Sequence, residues 1–178
     1  MNTNNQKNMQ IALLASRRLN AMLTKLRKLA KKDPSKVNRA AVWGGLSLIS
    51  MRCHEDVIAL NDLRGWVEDV YTKGWEHLNQ TRTQSEPYPV ADADLVLDAR
   101  FGAITDKIRQ ISKDVLDLHR GNYRLKWKTI HQEQLAKIVE RLDMAAFDLE
   151  SVLRDCDFYV KLCAHSASSE SIGEVRHD

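Results

Sequence analysis

The run Cys53-His54-Glu55-Asp56 places a thiol, an imidazole and two carboxylates in four consecutive positions. Those are the residue types of a cysteine hydrolase, in which an imidazole takes the thiol proton and an acid orients the imidazole. Apolar residues at helical spacing on both sides, Leu46 and Ile49 before and Val57 and Leu60 after, put the run on a helix. Neighbours on a helix point about 100° apart, so these side chains cannot form a relay with one another. The run reads as an ordinary helical turn, and no catalytic residue is assigned.

Metal chemistry finds equally little purchase. A di-iron bundle uses Glu-x-x-His twice and a zincin uses His-Glu-x-x-His. The first pattern is not present twice, and no two of the six histidines stand four apart. Glu140 and Asp143 are an i,i+3 carboxylate pair of the kind that recurs on any charged helix. His131 falls where the seam of the last helix begins and reads as a seam histidine. There is no glycine-rich phosphate loop, no Gly-x-Ser-x-Gly elbow and no Cys-x-x-Cys. Asp92 and Asp94 are explained by the positive end of a helix dipole. No metal site and no cofactor is expected.

Two basic clusters remain. Residues 1–40 carry ten Lys/Arg and one acid, Asp33, for a net +9, while the rest of the chain carries 17 basic and 23 acidic residues, for −6. On the first helix Lys7, Arg18, Lys25 and Lys32 lie almost in one line, and the charge continues through Lys28, Lys31, Lys36 and Arg39. The second cluster is Arg120-Gly-Asn-Tyr-Arg-Leu-Lys-Trp-Lys128. There Arg120, Arg124, Lys126 and Lys128 alternate with Tyr123 and Trp127, and no acid lies between Asp117 and Glu133. Basic residues interleaved with aromatics can neutralise phosphates and stack bases. The plainer reading is that charge keeps an exposed tip solvated and that Trp127 is core.

The elements that must carry these residues are helices. Only 7 Gly and 3 Pro punctuate 178 residues, 43% of them apolar and 29% charged. That is too few breakers for a sheet-rich fold. Periodicity predicts helices over about 5–32, 35–80, 92–120 and 123–164, in one domain spanning 1–165, followed by a disordered Ser-rich tail, 166–178. Asp33-Pro34 is read as the cap and first residue of the second helix, with a kink at Gly44-Gly45. Leu97, Phe101, Ile104, Ile108, Ile111, Val115 and Leu118 alternate steps of four and three, and a second such seam runs from Leu135 to Cys163. The last two helices should therefore form a coiled-coil-like hairpin around Gly121-Asn122.

The expected fold is all-α, an up-down-up-down antiparallel four-helix bundle. In that topology the turns near residues 33 and 121 share one end, and both basic clusters meet there. Glu76, Glu86, Asp92, Asp94, Asp98, Asp155 and Asp157 would gather at the other end. If the chain instead reverses at Gly44-Gly45, the basic clusters separate.

The function expected from this is a non-enzymatic binding protein. Its basic pole, Lys28, Lys31, Lys32, Lys36, Arg39, Arg120, Tyr123, Arg124, Lys126, Trp127 and Lys128, would engage a nucleic-acid backbone or an acidic protein surface, without base-specific reading. The alternative is an oligomeric coiled-coil-type adaptor or inhibitor that does not bind nucleic acid and acts through apolar residues off the main stripes, Leu13, Leu14 and Trp66. No membrane span and no secretory signal is expected. Three cysteines without scaffold spacing point to the reducing cytoplasm.

Overall fold

The computed structural model describes the backbone over residues 3–81, 90–121 and 127–173, and side chains over 3–81, 99–121 and 127–164. The protein is all-α, with no strand among the described residues. Helix α1 spans Thr3–Ala30, α2 Arg39–Thr81, α3 Val90–Gly121 and α4 Thr129–Gly173, with a short 3-10 turn at Pro34–Lys36. No helix among the described residues is long and apolar enough to cross a membrane.

Each helix buries the stripe that its periodicity marks. Phe101, Ile104, Ile108, Ile111 and Val115 of α3 meet Leu135, Ile138, Leu142, Leu149 and Val152 of α4, all at most 3% exposed. Leu19 and Leu26 of α1 and Leu46, Leu60 and Val67 of α2 complete the core. Leu97, the first residue of the α3 seam, lies outside the described side chains.

Side-chain contacts give the order of packing. Arg18 meets Asp56 and Asn5 meets Trp66 between α1 and α2. Trp43 stacks on His119 at 4.7 Å, and Ser50 and Ser112 each donate to the other's carbonyl between α2 and α3. Arg100 meets Asp155 and Lys107 meets Asp148 between α3 and α4. Asn20 meets Glu150 and Arg27 meets Asp143 between α1 and α4. In every set one residue number rises as the other falls, so each of these helix pairs runs antiparallel.

Gly44-Gly45 neither reverses the chain nor ends the helix: α2 continues through both. Two glycines cost about 2 kcal/mol of helix propensity, which packing of Val42, Leu46 and Ile49 into the core offsets.

Three boundaries differ from the sequence reading. Asp33 caps the 3-10 turn rather than α2, its carboxylate accepting from the Ser35 N–H and hydroxyl at 2.9 and 2.8 Å. The cap of α2 is Asn38, whose Oδ1 accepts from Ala41 N–H at 3.2 Å. Residues 127 and 128 are not helical, and α4 begins at Thr129. There His131 Nδ1 accepts the Lys128 N–H at 2.9 Å, the reach-back that Glu or Gln makes in a capping box. At the far end α4 runs past the expected stop at 164 to Gly173. With no Gly or Pro between Ala164 and Gly173, extending a formed helix costs little. Of the expected tail, only 174–178 lie outside the described residues.

Candidate functional site

The pole at which the α1–α2 connection meets the start of α4 is assembled by backbone and ring contacts. Gln132 Nε2 donates to Lys32 O at 2.5 Å, tying the end of α1 to the first turn of α4. The Trp43–His119 stack ties the start of α2 to the end of α3. These two links bring Lys28, Lys31, Lys32, Lys36 and Arg39 to the same end as Arg120 and Lys128, and all seven are exposed. Tyr123, Arg124 and Lys126 lie outside the described residues, as do the side chains of Asp92, Asp94 and Asp98 and residue Glu86.

Trp127 is not displayed at this tip. It is 7% exposed, packed into the core with its ring 5.5 Å from His131, and Nε1 has no hydrogen-bond partner. An indole directly before the first turn of α4 covers the end of the apolar seam, which removes it as a base-stacking surface. Trp66 is likewise taken up internally, half-buried with Nε1 donating to Asn5 Oδ1 at 3.1 Å. Leu13 and Leu14 do stand exposed, Leu14 at 51%.

The charges of α1 divide into two kinds. Arg27 is held by Asp143 at 2.6 Å and Arg18 by Asp56 at 2.5 Å. Lys25, Lys28, Lys31, Lys32 and Lys36 have no acid within 4.0 Å among the described residues. The local acid, Asp33, is engaged by Ser35, whose hydrogen bonds hold its carboxyl below the usual carboxylate range. Against the seven cations stand Asp33, Asp117 and Glu133, so positive charge is left over among the described residues at this end.

A second feature adjoins the pole. α1 and α2 part along their solvent side to leave a groove of about 620 Å³, floored by Met22, Leu26, Leu29, Val42, Leu46 and Ile49. Its charged lining is Arg18, Lys25, Lys32 and Arg52, with no acidic residue among the lining side chains. Gly45 contributes no side chain to the wall, and a Cβ built there would meet nothing within 4 Å. The sequence held a trace of this groove in the Arg18, Lys25, Lys32 line and in the adjacent glycines, but not the separation of the two helices that opens it.

At one end of the groove Asp56 is fully buried. Desolvation raises its carboxyl to about 6 against the pull of Arg18, and Oδ2 has no hydrogen-bond partner. Cys53, one turn away, faces the core, and burial pushes its thiol up to about 12, with the nearby Asp56 charge adding to the rise. His54 beside it is exposed, so thiol and imidazole leave the helix in different directions. No group of three or more His, Cys, Asp or Glu side chains among the described residues could hold a metal ion. His131, which accepts the Lys128 N–H, is kept below the usual imidazole range by burial and by the Lys128 charge.

The class that fold and site define is an all-α bundle with a basic end and an apolar groove beside it. No protein-family model matches the chain, and neither a curated protein nor a solved structure matches it.

Proposed function

We propose that the protein is a non-enzymatic binding protein whose basic pole engages an acidic partner. The observation that carries the reading is the leftover charge: Lys28, Lys31, Lys32 and Lys36 are exposed without an acid in reach, beside Arg120 and Lys128. Arg27 is neutralised by Asp143, whereas these four cations together leave a local excess of positive charge. Burial of Trp127 takes one of the cluster's two aromatics away from the surface, which favours an acidic protein surface over stacked single-stranded bases. Three free cysteines, two of them buried, fit a reducing cytoplasmic setting.

The test is titration with polyglutamate and with a DNA duplex at several salt concentrations. Binding through this pole falls steeply with salt, and Lys31→Glu, Lys36→Glu, Arg120→Glu and Lys128→Glu combined weaken it at least tenfold. Unchanged affinity in the fourfold variant overturns the reading.

A second reading, an oligomer built through apolar helix faces, draws on Phe147 and Phe158 of α4. They are 66% and 55% exposed and lie on one face, eleven residues apart. Light scattering at two protein concentrations separates the two: a monomer that binds polyanions supports the pole, a stable oligomer that does not supports the faces.

A further inference from the structure

This molecule closes its helix seams in a consistent way. Along α3 and α4, Arg100, Lys107 and Asp114 meet Asp155, Asp148 and Arg141, so that every seventh residue of one helix is bound to every seventh of the other. Along α1 and α4, Asn20 and Arg27 meet Glu150 and Asp143, again seven apart. Polar residues at that spacing flank an apolar seam on the side where another helix lies. Arg18 and Lys25 stand at the same spacing on the opposite flank of α1, Lys32 follows seven residues on in the turn just past Ala30, and all three border the groove. Arg18 is held there by Asp56 and Arg52 by Glu55 at 2.8 Å, whereas Lys25 and Lys32 face no acid. The groove thus has the apolar floor and the charged border of a helix seam, without the helix.

We infer that the groove between α1 and α2 seats an acidic amphipathic helix of a partner protein, with its apolar stripe on the floor and its carboxylates against Lys25 and Lys32. The spacing of the charges selects this occupant. A lipid anion carries its charge at one end of an apolar chain and calls for cations gathered at one end of the groove. Here Arg18 and Lys25 stand about 10 Å apart along α1, and Lys32 follows beyond its end. A nucleic-acid backbone matches such a row but has no use for six apolar side chains beneath it. The part of α1 that lines the groove, Leu14 to Leu29, rises about 22 Å, enough for about four turns of a partner helix. Exposed Leu14 and Leu48 at its lips extend the apolar contact once a helix lies between them. This inference rests on the acidic partner proposed above and gives that partner a shape.

The experiment uses the full chain and two synthetic helical peptides of 21 residues. Both carry leucine at the seam positions of three heptads, one with glutamate at the flanking positions and the other with lysine. Fluorescence anisotropy should show the glutamate peptide binding at least tenfold more tightly than the lysine peptide. Gly45→Trp, which fills the groove from a position with free space around it, should weaken the glutamate peptide at least tenfold. Lys25→Glu with Lys32→Glu should transfer the preference to the lysine peptide, and circular dichroism melts monitor the fold of each variant. Equal affinity for the two peptides, or an affinity that neither Gly45→Trp nor the charge reversal changes, overturns the inference. So does laurate binding, or self-association, that Gly45→Trp abolishes while the glutamate peptide fails to bind. The pole variant (Lys31, Lys36, Arg120 and Lys128) spares the groove lining. If it loses polyglutamate while Gly45→Trp retains both polyglutamate and peptide, the pole reading stands and the groove inference falls.

Discussion

Helices α3 and α4 bury one another along a continuous seam, with three cross-helix ion pairs seven residues apart on its border. Helices α1 and α2 carry similar ingredients, an apolar stripe and the cations Arg18 and Lys25 seven residues apart, yet beyond the Arg18–Asp56 contact they part and leave a groove. The difference lies in partners. On α3 and α4 each charge of the series has its opposite on the facing helix. On the groove side the cations outnumber the acids, and the two acids present, Glu55 and Asp56, serve only the Arg18–Arg52 end. A closed seam stabilises the fold, whereas a half-built one is surface held open for something else.

The largest contrast should come from truncating leucines on the two sides. Leu149→Ala in the fully buried α3–α4 region removes close packing on every side and should cost about 2–5 kcal/mol of unfolding free energy. Leu14→Ala at the groove lip, half-exposed, should cost under about 0.5 kcal/mol. Urea denaturation of both variants measures the difference, and similar losses would mean that the groove is an ordinary part of the core.

The ion pairs offer a second way to divide the two regions. Those of α3 and α4 are partly solvated, so their net worth is small. The Arg18–Asp56 pair has its carboxylate fully buried, and desolvation raises Asp56 from 3.8 to about 6. Between those values the folded protein binds the proton that the unfolded chain releases. The contribution of Asp56 to stability is therefore fully present below pH 3.8 and falls as pH rises toward about 6, by up to roughly 3 kcal/mol. Asp56→Asn should remove that slope, which appears as the pH-dependent difference in urea midpoint between variant and wild type. An identical pH profile in the two proteins would place Asp56 in a solvated site.

Glycines give the smallest and most direct comparison. A Cβ on Gly74 of α2 would stand 2.2 Å from Tyr159 Cδ1 of α4, so Gly74→Ala should destabilise by about 1–3 kcal/mol. Gly45 on the groove wall has open space around it, and Gly45→Ala should stabilise the helix by about 0.5–1 kcal/mol. Thermal melts should move in opposite directions.

The buried stripes were legible because burial on a helix repeats with the helical period, and Phe101 to Leu118 and Leu135 to Cys156 announce themselves that way. Helix ends were less so. Asp33-Pro34 has the residue types of a helix start, yet a few residues later Asn38 can cap as well, and only the backbone path shows which one caps α2. Trp127 sat among basic residues, where the sequence left both a stacking surface and a core residue open, and its burial follows from the seam of α4 ending beneath it. Asp56 was hidden for the converse reason: an acid within a charged run looks solvated until the rotation of its helix turns it inward beside Arg18.

The sequence by itself determined that the chain is helical, which faces the helices bury, and that Arg18 and Lys25 align on one flank of α1. These are properties of one helix at a time, carried by spacing alone. Tertiary structure decided which charges find partners, that Gly44-Gly45 continues α2, and that α1 and α2 part where α3 and α4 close. Such outcomes depend on distances between elements, which the periodicity of a single element does not encode.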